Sequence, residues 1–376
     1  MEQRSILSFL QRPKSFRPEK SRPAQPYQPR PTTGSTSKHN PKHDSQHRAP
    51  NRRRNMELAK VADQTKAVLP SVLNAIPSFN AALSSLFDID QLGALNPDHC
   101  PKFPKGATIQ VLDMDTFDAA LLLNPDHKVH SHIDVGKDSG DEEKGAKEPI
   151  KSDIAMKDAD TSENAPKRPE LISPNRPVAV MNLASERSPG GGWQNGALAQ
   201  EECLCYRSSL YLSLHKSYYN LPSLSAIYTP NVVLIRESMS SGHALLTSTQ
   251  PIDLPALSVI SVAALRRPSL SDDGTTYKHA GARAETKRKV RLTLRVAAQK
   301  GHTKLVLGAL GCGVFANPPG EVAKCFLEVL REEEFEGGWW EEVAFAVLDN
   351  VKGPDGGKDG EGNFGHFFRV LDGQVV

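Results

Sequence analysis

Residues 182–206, NLASERSPGGGWQNGALAQEECLCY, are the stretch on which the reading of this chain turns. Gly190, Gly191 and Gly192 can take positive φ and bring bare backbone N–H groups against a ligand, which no other residue type does cheaply. Seven residues further on, Gln200, Glu201 and Glu202 open a predicted helix with two adjacent carboxylates. Immediately upstream, residues 177–183 (PVAVMNL) read as a buried strand carrying Asn182 at its carboxyl end, the edge at which open α/β sheets bind ligands. A glycine-rich anion cradle joined to an acid pair suggests a phosphate-bearing substrate cleaved or gripped beside the carboxylates.

A second loop of the same kind lies downstream. Residues 304–307 (KLVL) read as a strand, and 308–317 (GALGCGVFAN) follow it with Gly311, Cys312, Gly313, Val314 and Phe315 at their centre. Pro318 and Pro319 suit the first turn of a helix over 321–331. Both loops follow a strand and precede a helix, so both can lie at one edge of a sheet and embrace a diphosphate from two sides. Neither continues into Gly-Lys-Ser/Thr, and the spacing misses the dinucleotide fingerprint, so an ATP-type P-loop and a nicotinamide fold are both excluded.

Outward from these loops, the apolar pattern supplies the rest of a body. Leu58, Val61, Val68, Leu69, Val72 and Ile76 recur at helical spacing from Met56, with Pro70 expected to kink or divide the helix. Residues 107–111 read as a strand, followed by Asp113, Asp115 and a helix over 117–123. The acid pair opens a helix predicted over 201–214, with Leu204, Ser208, Tyr211 and Leu212 as its inner stripe and Tyr211 as core packing. Strands are expected at 231–235, 257–263 and 343–348, and a strongly basic helix at 285–299. Residues 134–170, charged and nearly free of aromatics, read as a disordered insertion, and 266–283 as a mobile loop. Strands alternating with helices in this way indicate an α/β sandwich.

Composition separates this body from an N-terminal tail. Residues 1–54 hold 13 Lys/Arg against three Asp/Glu, a charge of +10, which leaves −8 for the rest of a chain whose net charge is +2. With eight prolines in 11–54, the tail reads as disordered, a tether for nucleic acid or an acidic partner or simply a solubilising arm. Arg52, Arg53 and Arg54 close it as a nuclear-import patch or a cap on the fold. Cys100, Cys203, Cys205, Cys312 and Cys325 are too few and scattered for a disulfide framework and fit a reducing compartment. Cys203 and Cys205, one residue apart, lack zinc-site spacing and read as small core residues. No run approaches the ~18 apolar residues of a membrane span and no apolar signal core opens the chain, so a soluble intracellular protein is expected.

Within the tail, Gln3, Ile6, Phe9 and Leu10 put three hydrophobes on one face of a single helical turn. Lys14, Arg17 and Lys20 follow, and the arrangement resembles the sliding-clamp-binding box of replication and repair proteins, with Leu10 where a second aromatic is usual. A chance hydrophobic end and a mitochondrial presequence are the competing readings, and Pro13, Pro18 and Pro23 interrupt the helix that a presequence needs.

Three glycines, seven residues, then Gln-Glu-Glu resembles the signature of the macrodomain-type poly(ADP-ribose) glycohydrolases. NLASERSPGGGW, NGALAQEE, the run Arg207-Ser208-Ser209-Leu210-Tyr211 and GALGCGVFANPP are similar to the microbial-type branch. The resemblance implies a three-layer macrodomain-like sandwich, a mixed central sheet flanked by helices, over 55–372. It also implies hydrolysis of ribose–ribose O-glycosidic bonds with no cofactor and no metal, in a monomer acting on poly(ADP-ribose) or ADP-ribosylated proteins in the nucleus, within the DNA damage response. By the same resemblance Glu202 is the general acid/base and Glu201 positions ribose hydroxyls. Asn182 contacts a ribose, Gly190–Gly192 and Gln200 bind substrate, Gly311–Phe315 hold the diphosphate, and Phe315 packs on the sugar or base. Trp193 stands where a smaller aromatic is familiar, and Asp115 is a weak candidate for adenine contact. A domain keeping the cradle without productive geometry would instead be a reader of ADP-ribose.

Overall fold

The computed structural model describes residues 48–138 and 176–376. The tail motif Gln3, Ile6, Phe9 and Leu10, and most of the expected insertion, lie outside those residues.

Seven strands build one sheet: β1 (Ser85–Asp88), β2 (Ile109–Leu112), β3 (Ala179–Ala184), β4 (Ser225–Val233), β5 (Ala256–Ala263), β6 (Lys304–Leu307) and β7 (Glu342–Ala346). Their order is β1-β4-β5-β3-β6-β7-β2. The run β5-β3-β6-β7-β2 is parallel, and β4 and β1 add antiparallel strands at one edge. The carboxyl ends of five strands therefore emerge on one side of the sheet, the side from which both glycine loops rise.

Strand alternation sorts the core into two layers. Ala179, Met181, Ile260, Val262, Leu305 and Phe345 meet α5 (Ala280–Gln299), α6 (Pro319–Leu330) and α7 (Asn363–Leu371) through Val290, Leu294, Phe326 and Phe367. Val180, Val259, Val306 and Ala344 meet α1 (Arg48–Asn74), α2 (Thr116–Leu123) and α4 (Gln200–Arg207) through Leu58, Phe117 and Leu204. Each such side chain contributes roughly 1.5–3 kcal/mol on burial. The result is the three-layer sandwich expected from the sequence.

Several boundaries differ for identifiable reasons. Helix α1 begins at Arg48, inside the stretch assigned to the tail, because Pro50 falls in the first turn, where a missing N–H costs nothing. It also runs through Pro70 as one element, with that ring on the exposed face and Leu69 buried beside it. A short helix α3 (Val129–Asp138) carries ordered structure into the first residues of the expected insertion. Helix α4 stops at Arg207 instead of reaching 214, since Ser208 turns to extended backbone (φ −147°) and bridges Leu234. The Ser208 hydroxyl caps the end by donating to Leu204 O at 2.7 Å. The stretch 266–283, expected as a mobile loop, is tied into a hairpin-like turn in which Ser271 N donates to Thr276 O and Lys278 N to Ser269 O, each at 2.9 Å. Helix α5 then starts at Ala280, five residues before the predicted position.

Candidate active site

At the end of β3 the chain enters the first glycine loop with Gly190 at φ 70° and Gly191 at φ 61°, a left-handed backbone that a side chain would strain. Trp193 is buried beneath the loop, 4.8 Å from the Tyr211 ring, and its carbonyl accepts Tyr206 Oη at 2.9 Å. The large indole is therefore a core support, and Tyr211 packs as expected. A second bond from Tyr206 Oη, to Ala197 O at 2.7 Å, draws the spacer back so that α4 starts directly under the glycines.

That folding back brings the acid pair to the loop. Glu202 Oε1 accepts Gly192 N at 2.9 Å, so the group that the glycine loop cradles is one of the protein's own carboxyls. Glu201 Oε2 accepts Ser185 N at 2.8 Å, and Oε1 lies 3.5 Å from Asn182 Nδ2. Both carboxyls stand in the first turn of α4, where the helix dipole favours negative charge. Burial is the stronger influence on Glu201 and pushes its pKa up to about 8, with the neighbouring Glu202 adding to the rise.

The second loop is held from outside. Gly311 takes φ 74°, and Asn317 Nδ2 donates to Leu265 O at 2.7 Å, Gly311 O at 3.2 Å and Phe315 O at 3.4 Å. Tyr277 Oη donates to Asn317 Oδ1 at 2.9 Å and fixes that amide. With its carbonyls occupied in this way, the loop leaves the backbone N–H groups of Gly313, Val314 and Phe315 without an acceptor among the described residues. Three successive donors of this kind are what a backbone anion receptor requires.

Between the loops lies a cavity of about 850 Å³. Of the expected site residues, Gly191, Gly192, Gln200, Glu201, Glu202, Gly311, Gly313, Val314 and Phe315 line it. Asn182, Gly190 and Cys312 stand behind the wall instead. Asn182 is fully buried and its amide donates to Ser261 Oγ at 3.0 Å. Gly190 backs onto Trp193 and Cys205, and the Cys312 thiol turns inward to Leu310 O. Gln200 reaches the wall with its amide already engaged, accepting Leu183 N at 2.9 Å and donating to Met181 O at 2.8 Å, which staples α4 to β3. The Asp115 carboxylate is also committed, since it caps α2 at Phe117 N and pairs with buried Arg207.

Other lining residues escaped the sequence reading. Leu348, Asn350 and Asn363 close one end of the cavity beyond β7, and the rule that ligands gather at the carboxyl ends of parallel strands would have pointed to the first two. Arg266, over the Phe315 ring at 5.4 Å and 3.1 Å from Glu186 Oε1, had no pattern to mark it. Asn317 was legible only as part of the glycine loop.

A macrodomain-like hydrolase is the class that this fold and site define. Residues 56–237 match the family described as microbial-type PARG, catalytic domain, and the chain is a hydrolase. Among solved structures, the fold is similar to the poly(ADP-ribose) glycohydrolase of Thermomonospora curvata, at 23% identity over 84% of this chain and 99% of that one, with a TM-score of 0.55. It is also similar to the Deinococcus radiodurans enzyme solved with ADP-ribose, at 27% identity over 77% of this chain and 94% of that one, with a TM-score of 0.50. No curated protein sequence matches. Among the described residues no helix is long and apolar enough to cross a membrane.

Proposed function

We propose that the protein hydrolyses the ribose–ribose O-glycosidic bonds of poly(ADP-ribose), releasing ADP-ribose, with Glu202 as the general acid/base. The observation that carries this reading is the Glu202 carboxylate seated on Gly192 N at 2.9 Å in the wall of a cavity that ends in the open anion receptor at Gly313–Phe315. ADP-ribose in the D. radiodurans enzyme supports the same ligand here.

Cleavage needs a proton for the departing ribose oxygen and stabilisation of an oxocarbenium-like centre. Burial favours keeping a proton on the Glu201 carboxyl. Glu201 is locked inward by Ser185 N and Asn182, so Glu202 is the member that starts protonated, gives its proton to the departing ribose oxygen and becomes the carboxylate, and regains a proton from the attacking water. Glu201 acts as a positioning residue whose neutral carboxyl orients the ribose. Asn182, Ser261 and Gln200 fix that carboxyl and the start of α4, and Phe315 gives the nucleotide an apolar face. The substrate diphosphate, held by backbone N–H groups, brings negative charge to the developing cation.

Incubation with labelled poly(ADP-ribose) tests the assignment. Wild type releases ADP-ribose, and Glu202→Gln loses ~10²–10⁴-fold in rate while ADP-ribose affinity stays within a few fold. Binding without release by wild type would make the protein a reader, and undiminished release by Glu202→Gln would move the acid/base role elsewhere. For the basic tail we propose recruitment to a nuclear sliding clamp through Ile6, Phe9 and Leu10, an idea that unchanged clamp binding by Phe9→Ala would remove.

A further inference from the structure

The charged side chains that line the cavity are Asp115, Glu201, Glu202, Arg187 and Arg266. Asp115 is committed to Arg207, so the cations that an anionic ligand would meet are Arg187 and Arg266, on the loops after β3 and β5. One carboxylate gathers both. Arg266 Nη1 donates to Glu186 Oε1 at 3.1 Å, and Arg187 Nε lies 3.1 Å from the same oxygen, while Glu186 Oε2 is buried with no hydrogen-bond partner among the described residues.

Elsewhere in the protein an arginine that serves the fold is held differently. Arg295 meets Glu334 fork to fork, Nε on Oε1 at 2.7 Å and Nη2 on Oε2 at 2.8 Å, a geometry that fixes both partners. Arg266 and Arg187 each place a single nitrogen on one shared oxygen, and their side chains stay 47% and 67% exposed. Single-point ion pairs open to water contribute little, so a guanidinium held this way exchanges partners at small cost.

Position singles out Arg266. Its guanidinium carbon lies 5.4 Å from the centroid of the Phe315 ring, and the N–H of the next residue, Arg267, donates to Phe315 O at 2.8 Å. Phe315 carries one of the three N–H groups without an acceptor, so a full positive charge stands beside donors that carry only partial charge. On the proposed hydrolase reading, on which this inference rests, those donors hold the diphosphate of ADP-ribose. We propose that Arg266 is the cation of this receptor: Glu186 keeps its guanidinium at the rim, and the diphosphate takes it over on binding. Arg187 then remains with Glu186, so the carboxylate keeps a counter-charge after Arg266 has left it.

Calorimetry with ADP-ribose on the full-length protein, at ~0.02 and ~0.15 M salt, tests the exchange. Arg266→Gln keeps much of the apolar stem and removes the charge. It weakens ADP-ribose about 5–10-fold at the lower salt and less at the higher, and Arg266→Lys recovers part of the loss. Glu186→Gln, which releases the guanidinium from its competing anion, tightens ADP-ribose about 2–3-fold, the reverse of what a structural prop would give. The proposal is overturned if Arg266→Gln binds as wild type does, if Arg266→Lys binds no better than Arg266→Gln, or if Glu186→Gln weakens binding. Unchanged melting temperatures show that the variants are folded, and the Arg266 pair decides alone should Glu186→Gln be unstable. No ADP-ribose binding by wild type overturns this inference and the hydrolase reading together. Binding without cleavage of the polymer overturns the hydrolase reading only, and the Arg266 variants still decide the cation.

Discussion

Gly191 and Gly313 occupy loops that follow the neighbouring parallel strands β3 and β6, yet a methyl group added to each would meet opposite surroundings. At Gly191 it would fall 2.3 Å from Glu202 Oε1 and 3.2 Å from Glu201 Oε2, whereas at Gly313 nothing lies within 4 Å. One loop is already filled by the protein's own acid, and the other, on the proposed reading, is open to a ligand. On the proposed reading the same backbone chemistry, N–H groups freed by glycine, orients the acid/base in the first case and binds a diphosphate in the second. The difference between the loops separates chemistry from affinity, and substitutions in the two should part along that line.

The largest expected effect is at Gly191. Alanine there must hold φ near 61°, at a cost of ~1–2 kcal/mol, and its Cβ pushes the Glu202 carboxyl aside. A displacement near 1 Å costs on the order of 10²-fold in rate, so Gly191→Ala should lose ~10²–10³-fold in kcat with ADP-ribose affinity changed only a few fold. Gly313→Ala should change kcat less than about threefold, because its Cβ meets no protein atom within 4 Å. Steady-state kinetics and calorimetry on the pair check this, and equal losses in kcat would break the comparison.

Next comes the support of the open receptor. Asn317 is buried, and its amide holds three carbonyls while accepting Tyr277 Oη. Asn317→Ala strands those groups at ~1–3 kcal/mol and lets the loop relax. ADP-ribose affinity should fall about tenfold and the melting temperature should drop, while kcat at saturating substrate stays within a few fold. A loss confined to kcat would show that the second loop serves the chemistry after all.

How much of this was open to reading beforehand follows from the physics of each element. Strands β3, β5 and β6 were legible because a parallel strand covered on both faces is a continuous apolar run between turn signals. The four residues of β1 were not, since an edge strand with little burial carries no alternation. Helix α7 was hidden because the Gly- and Asp-rich 352–362 before it reads as loop throughout. For the site, residue types and spacing identified both loops and the acid pair. What they could not say was which anion each loop holds. That depends on how residues 193–199 fold back, a consequence of tertiary bonds from Tyr206 to Trp193 O and Ala197 O. Nor could they orient Asn182, for a strand buried on both faces gives no sign of which way its polar side chain points.

The smallest effect, and the one that probes the filled loop without disturbing its backbone, is the pH dependence of stability. Burial holds the Glu201 carboxyl near pKa 8 in the fold, against 4.5 when unperturbed. As the pH rises, the unfolded chain releases this proton first, so above pH 4.5 the folded state binds more protons than the unfolded state. The stabilisation from this group is therefore fully present below that pH and is lost progressively as the pH rises towards 8. Glu201→Gln cannot ionise and keeps the neutral hydrogen-bonding shape. Urea denaturation at pH 7 and 8.5 should show wild type losing about 1–2 kcal/mol more than the variant across that window. The variant serves as the baseline because every other titrating group is common to both proteins. Parallel pH profiles would mean that Glu201 is ionised in the fold.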